Sequence, residues 1–220
     1  MKLVFASNNA HKLQEVQAIM PAGITVLSLR EIGFEQEIDE TGTTLEENSY
    51  IKASTIADYL AESGKGKAES IDGVFADDTG LEIDALGGKP GVYTARWYKM
   101  DDGGAKAEDE KAVFGANRAK ALREMKGKTD RGAQFKTVIT LIMLSEAKNI
   151  KALQVSGVVR GQITTEERGE GGFGYDPVFM PEGYDKTFSE LPIETKNSIS
   201  HRARAMGELV KVLKTYQEEK

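Results

Sequence analysis

Cysteine is absent from the 220-residue chain, and histidine occurs only at His11 and His201. The first absence excludes disulfides, thiolate metal sites and a cysteine nucleophile. The scarcity of histidine argues against a His-rich zinc or copper centre. Any metal ion would therefore be a hard cation held by carboxylates, and Mg²⁺ is the best candidate.

Long apolar runs and an excess of positive charge are also missing. No stretch approaches the roughly 20 apolar residues of a membrane-spanning helix, and the opening MKLVFASNNAHK has too short an apolar run for a signal peptide. The chain has 29 Lys and Arg residues against 35 Asp and Glu residues, a net charge of −6. We therefore expect a cytoplasmic protein that binds no membrane and no nucleic acid.

Strand-like and helix-like segments alternate early, and a hairpin pattern follows, which predicts an α/β protein with a mixed sheet. The predicted strands are 2–6, 24–29, 73–77 with 81–86 as two strands or one bent strand, and the hairpin strands 133–145 and 152–164. The predicted helices begin after Asn8 or Asn9 and end at Pro21, cover 43–63 with a Thr43–Glu46 capping box, span about 106–125, and run from Ser200 onward.

The stretch SNNAHK opens the first predicted helix. Backbone amides at a helix N-terminus bind anions. Ser7, Asn8 and Asn9 add side-chain donors, and Lys12 adds a positive charge one turn later. The stretch predicts a phosphate-binding turn, and the alternative is an ordinary helix cap with a solvated lysine.

The stretch ADDTG places Asp77 and Asp78 side by side where a buried strand is predicted to end. Adjacent carboxylates disfavour each other's ionisation, and a Mg²⁺ ion would offset that repulsion and activate a water. Carboxylates beyond a strand end of an α/β sheet commonly lie in a ligand crevice. The alternative is a polar strand-exit turn in which nearby amides bind each carboxylate.

The stretch GEGGFGYDP matches the dinucleotide fingerprint G-x-G-x-x-G at Gly169, Gly171 and Gly174. That fingerprint must follow a strand and open a helix, whereas here a proline and a strand-like run follow, so we reject a Rossmann site. The stretch is then a flexible loop that presents Phe173 and Tyr175, where an aromatic ring is well placed to stack on a flat base. The alternative is a tight turn with both rings in the core.

Two further stretches carry charge at predicted helix starts. In KNSISHRARA, Lys196, His201 and Arg202 cluster where cations oppose the helix dipole, which indicates an anionic or carbonyl-bearing ligand; the alternative is a solvated basic face. In EIDETGTTLEENSYIKA, Glu40 precedes a helix from which Lys52 projects, a weak signal alone. Together, the five stretches predict a nucleoside phosphate site, and the absence of G-x-x-x-x-G-K-[ST] excludes a P-loop.

In order and spacing, four stretches resemble the inosine triphosphate pyrophosphatases. They are ASNNAHK, FADDTGLEIDALGGKPGVYTARW, GGFGYDPVF and SISHRARA, and the resemblance runs from residue 2 to about 213. It implies one domain over 1–220 with an elongated mixed β-sheet, flanking helices and two lobes around a central cleft, assembled as a homodimer. It also implies hydrolysis of dITP, ITP and XTP to the monophosphate and pyrophosphate, dependent on Mg²⁺ with Mn²⁺ as a substitute, which would cleanse the nucleotide pool.

The resemblance also implies residue roles. Asp78 is the expected proton acceptor for the attacking water, and the expected metal ligands are Glu40, Asp77 and Asp78. The expected phosphate-binding residues are Ser7, Asn8, Asn9, Lys12 and Lys52, with Thr79 where many members have Ser. The expected base and ribose loop is Phe173, Gly174, Tyr175 and Asp176, and the expected base-reading group is Lys196, His201 and Arg202. The loop 98–110 is given no role.

Three other functions stay open on the residues. The first is a related pyrophosphatase that acts on other bases, such as modified pyrimidine triphosphates. The second is a regulatory module that binds a nucleotide without turning it over, although all the acids needed for catalysis are present. The third is nucleic-acid binding, which the net charge of −6 disfavours.

Overall fold

The structure is a computed structural model, and it describes residues 1–100, 109–144, 152–170 and 173–218. The strands are β1 (Lys2–Phe5), β2 (Thr25–Leu27), β3 (Gly73–Ile83), β4 (Pro90–Gly91), β5 (Gly132–Met143), β6 (Ala152–Ile163) and β7 (Phe179–Pro181). The α-helices are α1 (Ala10–Ile19), α2 (Leu45–Glu62), α3 (Lys65–Ala68), α4 (Glu110–Glu124), α5 (Ile193–Ile199) and α6 (His201–Glu218). Within the described ranges, no helix combines the length and the apolar character needed to cross a bilayer.

The strands form a mixed sheet, which confirms the predicted α/β class. The strand order is β2-β1-β3-β5-β6-β7, and β4 pairs with β3. β1 runs parallel to both β2 and β3, whereas the β3–β4 and β6–β7 pairs are antiparallel. The predicted hairpin strands are neighbours as β5 and β6, and the residues that join them lie outside the described ranges.

The chain divides into two compact units, each assembled from several segments. Unit 1 comprises Met1–Asp78, Thr137–Gly157 and Arg202–Lys220. Unit 2 comprises Thr79–Lys136 and Val158–His201. The boundaries between the units fall inside β3, β5, β6 and α6. No linker therefore marks the two units in the linear sequence.

In unit 1, successive residues of β1 and β3 bury opposite faces of the sheet, as the two-residue period of a strand requires. Val4, Val74 and Ala76 belong to the core formed with α2 residues such as Ile56 and Leu60. The intervening residues Leu3, Phe5 and Phe75 belong to a second core, formed with Val16 of α1 and Leu209 of α6. Helices therefore cover both faces of these strands.

In unit 2, the core is rich in aromatic rings. Phe135 of β5 contacts Phe179 of β7 at 4.8 Å between ring centroids, and Phe179 contacts Phe188 at 5.2 Å. The core also includes Tyr175 and residues of α4 such as Ala121. It therefore anchors both the glycine-rich loop and helix α4.

Three sequence predictions of local structure were wrong in detail. β3 does not end at the paired acids but continues through them to Ile83, so the single-strand alternative is the correct one for 73–86. The capping box uses Thr44 and Glu47, one residue later than predicted, since adjacent Thr and Glu pairs satisfy the same spacing. Helix α5 was missed, and α6 begins directly after it. The predicted start of α4 at residue 106 lies outside the described residues.

Candidate active site

The paired acids of β3 point to opposite faces of the sheet. Asp77 follows Phe75 by two residues and shares its face, which α1 and α6 cover; Asp78 follows Ala76 by two and shares the face that α2 covers. Their ion-pair partners come from the same helices. Asp77 pairs with a lysine of α1 and an arginine of α6, and Asp78 pairs with a lysine of α2. The repulsion expected between adjacent carboxylates is thereby reduced.

Asp77 is the centre of a buried cationic cluster. Its Oδ1 accepts a hydrogen bond from Lys12 Nζ at 2.8 Å, and its Oδ2 lies 3.4 Å from Arg202 Nε. Arg202 also pairs with Glu15. Burial would raise the pKa of Asp77, but the charges of Lys12 and Arg202 outweigh it and hold that pKa well below its ordinary value. Both carboxylate oxygens of Asp77 therefore face cations.

Asp78 and Glu40 share one lysine. Lys52 Nζ donates to Glu40 Oε1 at 2.7 Å and to Asp78 Oδ1 at 3.0 Å. Burial raises the pKa of Asp78, although the charge of Lys52 acts against that rise. Burial would lower the pKa of Lys52, but the charges of Asp78, Asp77 and Glu40 raise it instead. The lysine therefore stays protonated between two acids.

Side chains at the start of α1 bind two of the local backbone amides. Asn9 Oδ1 accepts from the backbone N–H of Lys12 at 3.0 Å, and Ser7 Oγ accepts from the N–H of Asn9 at 3.2 Å. Asn8 is exposed. The helix cap of the alternative interpretation is thus present, but Lys12 is paired with Asp77 rather than solvated.

A backbone contact that sequence reasoning missed lies two residues after Glu40. The backbone N–H of Gly42 donates to Oδ1 of the fully buried Asn48 at 2.8 Å. A Cβ at Gly42 would lie 2.6 Å from Cβ of Glu47 and 2.7 Å from Asn48 Oδ1, so only glycine fits this approach. The glycine two residues after Glu40, directly before a capped helix, was the available signal.

In unit 2, the four residues of the predicted base loop are held by different groups. Asp176 is buried, accepts from the N–H of Phe173 at 2.8 Å and forms an ion pair with Lys196 at 2.5 Å. The hydroxyl of buried Tyr175 donates to the carbonyl of Thr94 at 3.0 Å, and burial raises the pKa of Tyr175. Phe173 is 44% exposed, so the interpretation that buries both aromatic rings is wrong for Phe173.

Helix α4 also contacts this loop. The rings of Phe114 and Phe173 meet edge to face with centroids 4.6 Å apart. Arg118, one turn further along α4, donates through Nη1 to the carbonyl of Gly174 at 3.0 Å. Sequence reasoning gave neither α4 residue a role, because sequence spacing does not show which loop a helix face meets.

The three residues of the predicted base-reading group each contact a different partner. Lys196 pairs with Asp176, the imidazole of His201 stacks on Phe135 at 4.8 Å between centroids, and Arg202 pairs with Asp77. Thr79 is a half-buried residue of β3 assigned to unit 2. The three residues therefore have distinct partners.

A divalent metal would find two suitable ligands in unit 1. Glu40 and Asp78 each place a carboxylate oxygen within 3.0 Å of the same lysine nitrogen, so both carboxylates already meet at one cation. Mg²⁺ is usually bound through one or two carboxylates together with substrate phosphates and water. Among the residues that the structure describes, no group of three or more Asp, Glu or His side chains is arranged to hold a metal. These two carboxylates would therefore hold an ion only together with further ligands.

Comparison with known proteins supplies independent information. The model of the Ham1 family matches residues 3–212. The dITP/XTP pyrophosphatase of Flavobacterium johnsoniae is 44% identical over 215 residues, which is 97% of this chain and 98% of that protein. The dITP/XTP pyrophosphatase of Bacillus subtilis is 42% identical over 96% of both chains.

Solved structures give the same result for the fold. The Ham1 protein of Staphylococcus aureus superposes with a TM-score of 0.80 at 34% identity, covering 98% of this chain and 100% of that one. A structure titled nucleoside-triphosphatase and dITP/XTP pyrophosphatase, from Mycobacterium abscessus, superposes with a TM-score of 0.72 at 32% identity, covering 96% and 99% of the two chains.

Proposed function

The chain belongs to the Ham1 family, and we propose that it is a nucleoside triphosphate pyrophosphatase that hydrolyses dITP, ITP and XTP to the monophosphate and pyrophosphate. The relatives named above, whose lengths match this chain almost completely, support the reaction. The single observation that carries it is the set of buried acids and lysines around β3, Asp78 with Lys52 and Asp77 with Lys12.

The lysines suit a polyanion. A triphosphate carries roughly four negative charges near neutral pH, and positioned cations are the main catalytic device for phosphoryl chemistry. Lys12 at the start of α1 and Lys52 on α2 would bind its phosphates, assisted by Ser7 and Asn8. The acids of β3 hold both ammonium groups in place.

We further propose that Glu40 and Asp78 hold Mg²⁺, for which Mn²⁺ would substitute. When bound, the ion supplies charge neutralisation and a more acidic water. Asp78 is the residue that orients the attacking water near the α-phosphorus and accepts its proton. Its burial raises its pKa and thus its basicity, which suits a general base. Asp77 remains part of the proposed acidic site, as the partner of Lys12 and Arg202.

For base selection, we propose that Phe173 stacks on the base and that Arg202 donates to the carbonyl at position 6 of hypoxanthine or xanthine. Adenine presents an amino donor there, and a site built for one hydrogen bond rejects a mismatched partner by a large factor. Tyr175, Asp176 and Lys196 would support the base and ribose loop. We also propose a cytoplasmic homodimer, as the family resemblance implies.

The test is a product assay with Mg²⁺. ITP, XTP, ATP, GTP and UTP are incubated separately, and monophosphate and pyrophosphate are resolved from diphosphate and phosphate. We expect monophosphate and pyrophosphate from ITP and XTP. Equal turnover of every triphosphate would contradict the base selection, and diphosphate as product would contradict the assigned bond.

The role of Asp78 is tested by Asp78→Asn. The substitution should lower kcat by about 10²–10⁴, the usual contribution of a positioned general base. Asp84→Asn, an exposed acid just beyond the end of the same strand, is the matched control and should keep the wild-type kcat. Near-normal turnover by Asp78→Asn would show that another group accepts the proton.

A further inference from the structure

Phe173 is a large apolar side chain that remains exposed although its neighbours are anchored. Its backbone N–H is fixed by Asp176, and the following Gly174 has φ +59°, a conformation that glycine adopts without strain. Tyr175 is buried in the aromatic core. These contacts fix the backbone of the loop, but they leave the orientation of the Phe173 ring to be set by something else.

Helix α4 supplies that contact. Phe114 and Arg118 are four residues apart, and residues so spaced lie on one face of a helix. The Phe114 ring meets the Phe173 ring edge to face at 67° between planes, and the Arg118 guanidinium bonds the Gly174 carbonyl. Arg118 is itself held by Glu167, with Nε 3.0 Å from Oε1. One helix face thus touches both the ring and the backbone beside it.

We propose that Phe114 and Arg118 are positioning residues for base recognition: they hold the ring of Phe173 in the orientation in which it stacks on a purine. The inference rests on the proposed function, because it takes Phe173 as the stacking residue. It assigns α4 an effect on affinity for the base and none on the phosphate end of the nucleotide. An ordered ring loses less freedom when a ligand binds, which raises affinity.

The decisive experiment is a double-mutant cycle of Phe114→Ala and Phe173→Ala, with KM and kcat measured for ITP. An edge-to-face aromatic pair is worth about a 2- to 10-fold change in an equilibrium constant, so Phe114→Ala should raise KM by that factor with kcat nearly unchanged. In the Phe173→Ala background the same substitution should have no effect. An additive effect in the double variant would overturn the proposal.

Two controls separate positioning from general loss of structure. The inhibition constant of pyrophosphate, which has no base, should be the same in Phe114→Ala and the wild type, and a parallel rise would contradict the proposal. Phe114→Tyr keeps the ring and should have the wild-type KM for ITP, whereas Phe114→Leu lacks the ring and should not. Lys111→Ala, an exposed change on the same helix, should match the wild type.

Arg118 is tested through the backbone contact. Arg118→Met keeps an apolar stem but removes the hydrogen bond to the Gly174 carbonyl, and it should raise KM for ITP without changing the pyrophosphate constant. An unchanged KM would remove Arg118 from the proposal.

A binding measurement separates failure of this proposal from failure of the proposed function. If the wild type does not hydrolyse ITP, the same cycle is measured as Kd for ITP by calorimetry. Coupling between Phe114 and Phe173 would then support positioning without catalysis, and additivity would refute it.

Discussion

Replacing Asp77 by Asn removes one buried charge and leaves the shape of the side chain almost intact. In the wild type the carboxylate faces Lys12 Nζ at 2.8 Å and Arg202 Nε at 3.4 Å. Both cations are largely shielded from solvent, with side-chain exposures of 19% and 14%. The variant therefore retains two cations that have lost their shared anionic partner.

The expected loss of stability in Asp77→Asn follows from these two distances. With an effective dielectric constant near 20, attractions at 2.8 Å and 3.4 Å are about 6 and 5 kcal/mol before desolvation is counted. Desolvation offsets part of this, and removing one partner of a buried pair typically costs about 3–5 kcal/mol. We expect the free energy of unfolding of Asp77→Asn to fall by about 3 kcal/mol, which lowers the Tm of a 220-residue protein by roughly 6–12 °C.

The same substitution should strengthen the response to a phosphate anion. Lys12 and Arg202 would then lack the Asp77 carboxylate that they share, although Arg202 keeps its ion pair with Glu15, and we expect pyrophosphate to take the place of the lost charge. In thermal unfolding without divalent metal, added pyrophosphate should raise the Tm of Asp77→Asn more than that of the wild type. Asp58→Asn, an exposed acid on α2, is the control and should behave as the wild type does.

Two results would refute the reasoning. If Asp77 is mainly a metal ligand, the variant should keep its Tm but need a higher Mg²⁺ concentration for half-maximal activity. A Tm shift within 2 °C, or an equal response of both proteins to pyrophosphate, would show that the cationic cluster does not depend on the Asp77 charge.

Three other predictions concern different parts of the chain. Arg202→Ala should reduce the ratio of ITP to ATP turnover more than it weakens pyrophosphate inhibition, and an unchanged ratio would exclude it as the base reader. Gly161→Ala should lower the Tm, because its Cβ would lie 2.4 Å from the backbone oxygen of Met180; a Tm equal to the wild type would show that β7 shifts freely. The hydrogen bond from Arg160 lowers the pKa of Asp84 in the folded protein. The stabilisation from this ion pair is therefore fully present above the ordinary pKa of Asp, and it is lost as the pH falls through the lowered pKa of the folded state. For this exposed pair, denaturant titrations should show Asp84→Asn less stable than the wild type by under about 1 kcal/mol at pH 7, a gap that closes in acid.

Two local features of the candidate site were predictable from short sequence motifs. Asn9 was predicted as a candidate cap of α1, and the cap geometry confirms it. Phe173 was expected on an exposed glycine-rich loop, and it is exposed. The contacts of α4 were not predictable, since Phe114 and Arg118 are separated from the loop by more than 50 residues and follow no motif.

By itself, the sequence determined which chemistry is available: carboxylates and lysines without cysteine, and a mixed α/β pattern whose motifs indicate a nucleotide. Tertiary structure decided which partners each acid has. The sequence shows Asp77 and Asp78 as neighbours, but the two-residue period of β3 directs one to α1 and α6 and the other to α2. Partners contributed from 26 to 125 positions away set the pKa shifts of the two acids in opposite directions, and no local pattern encodes such long-range contacts.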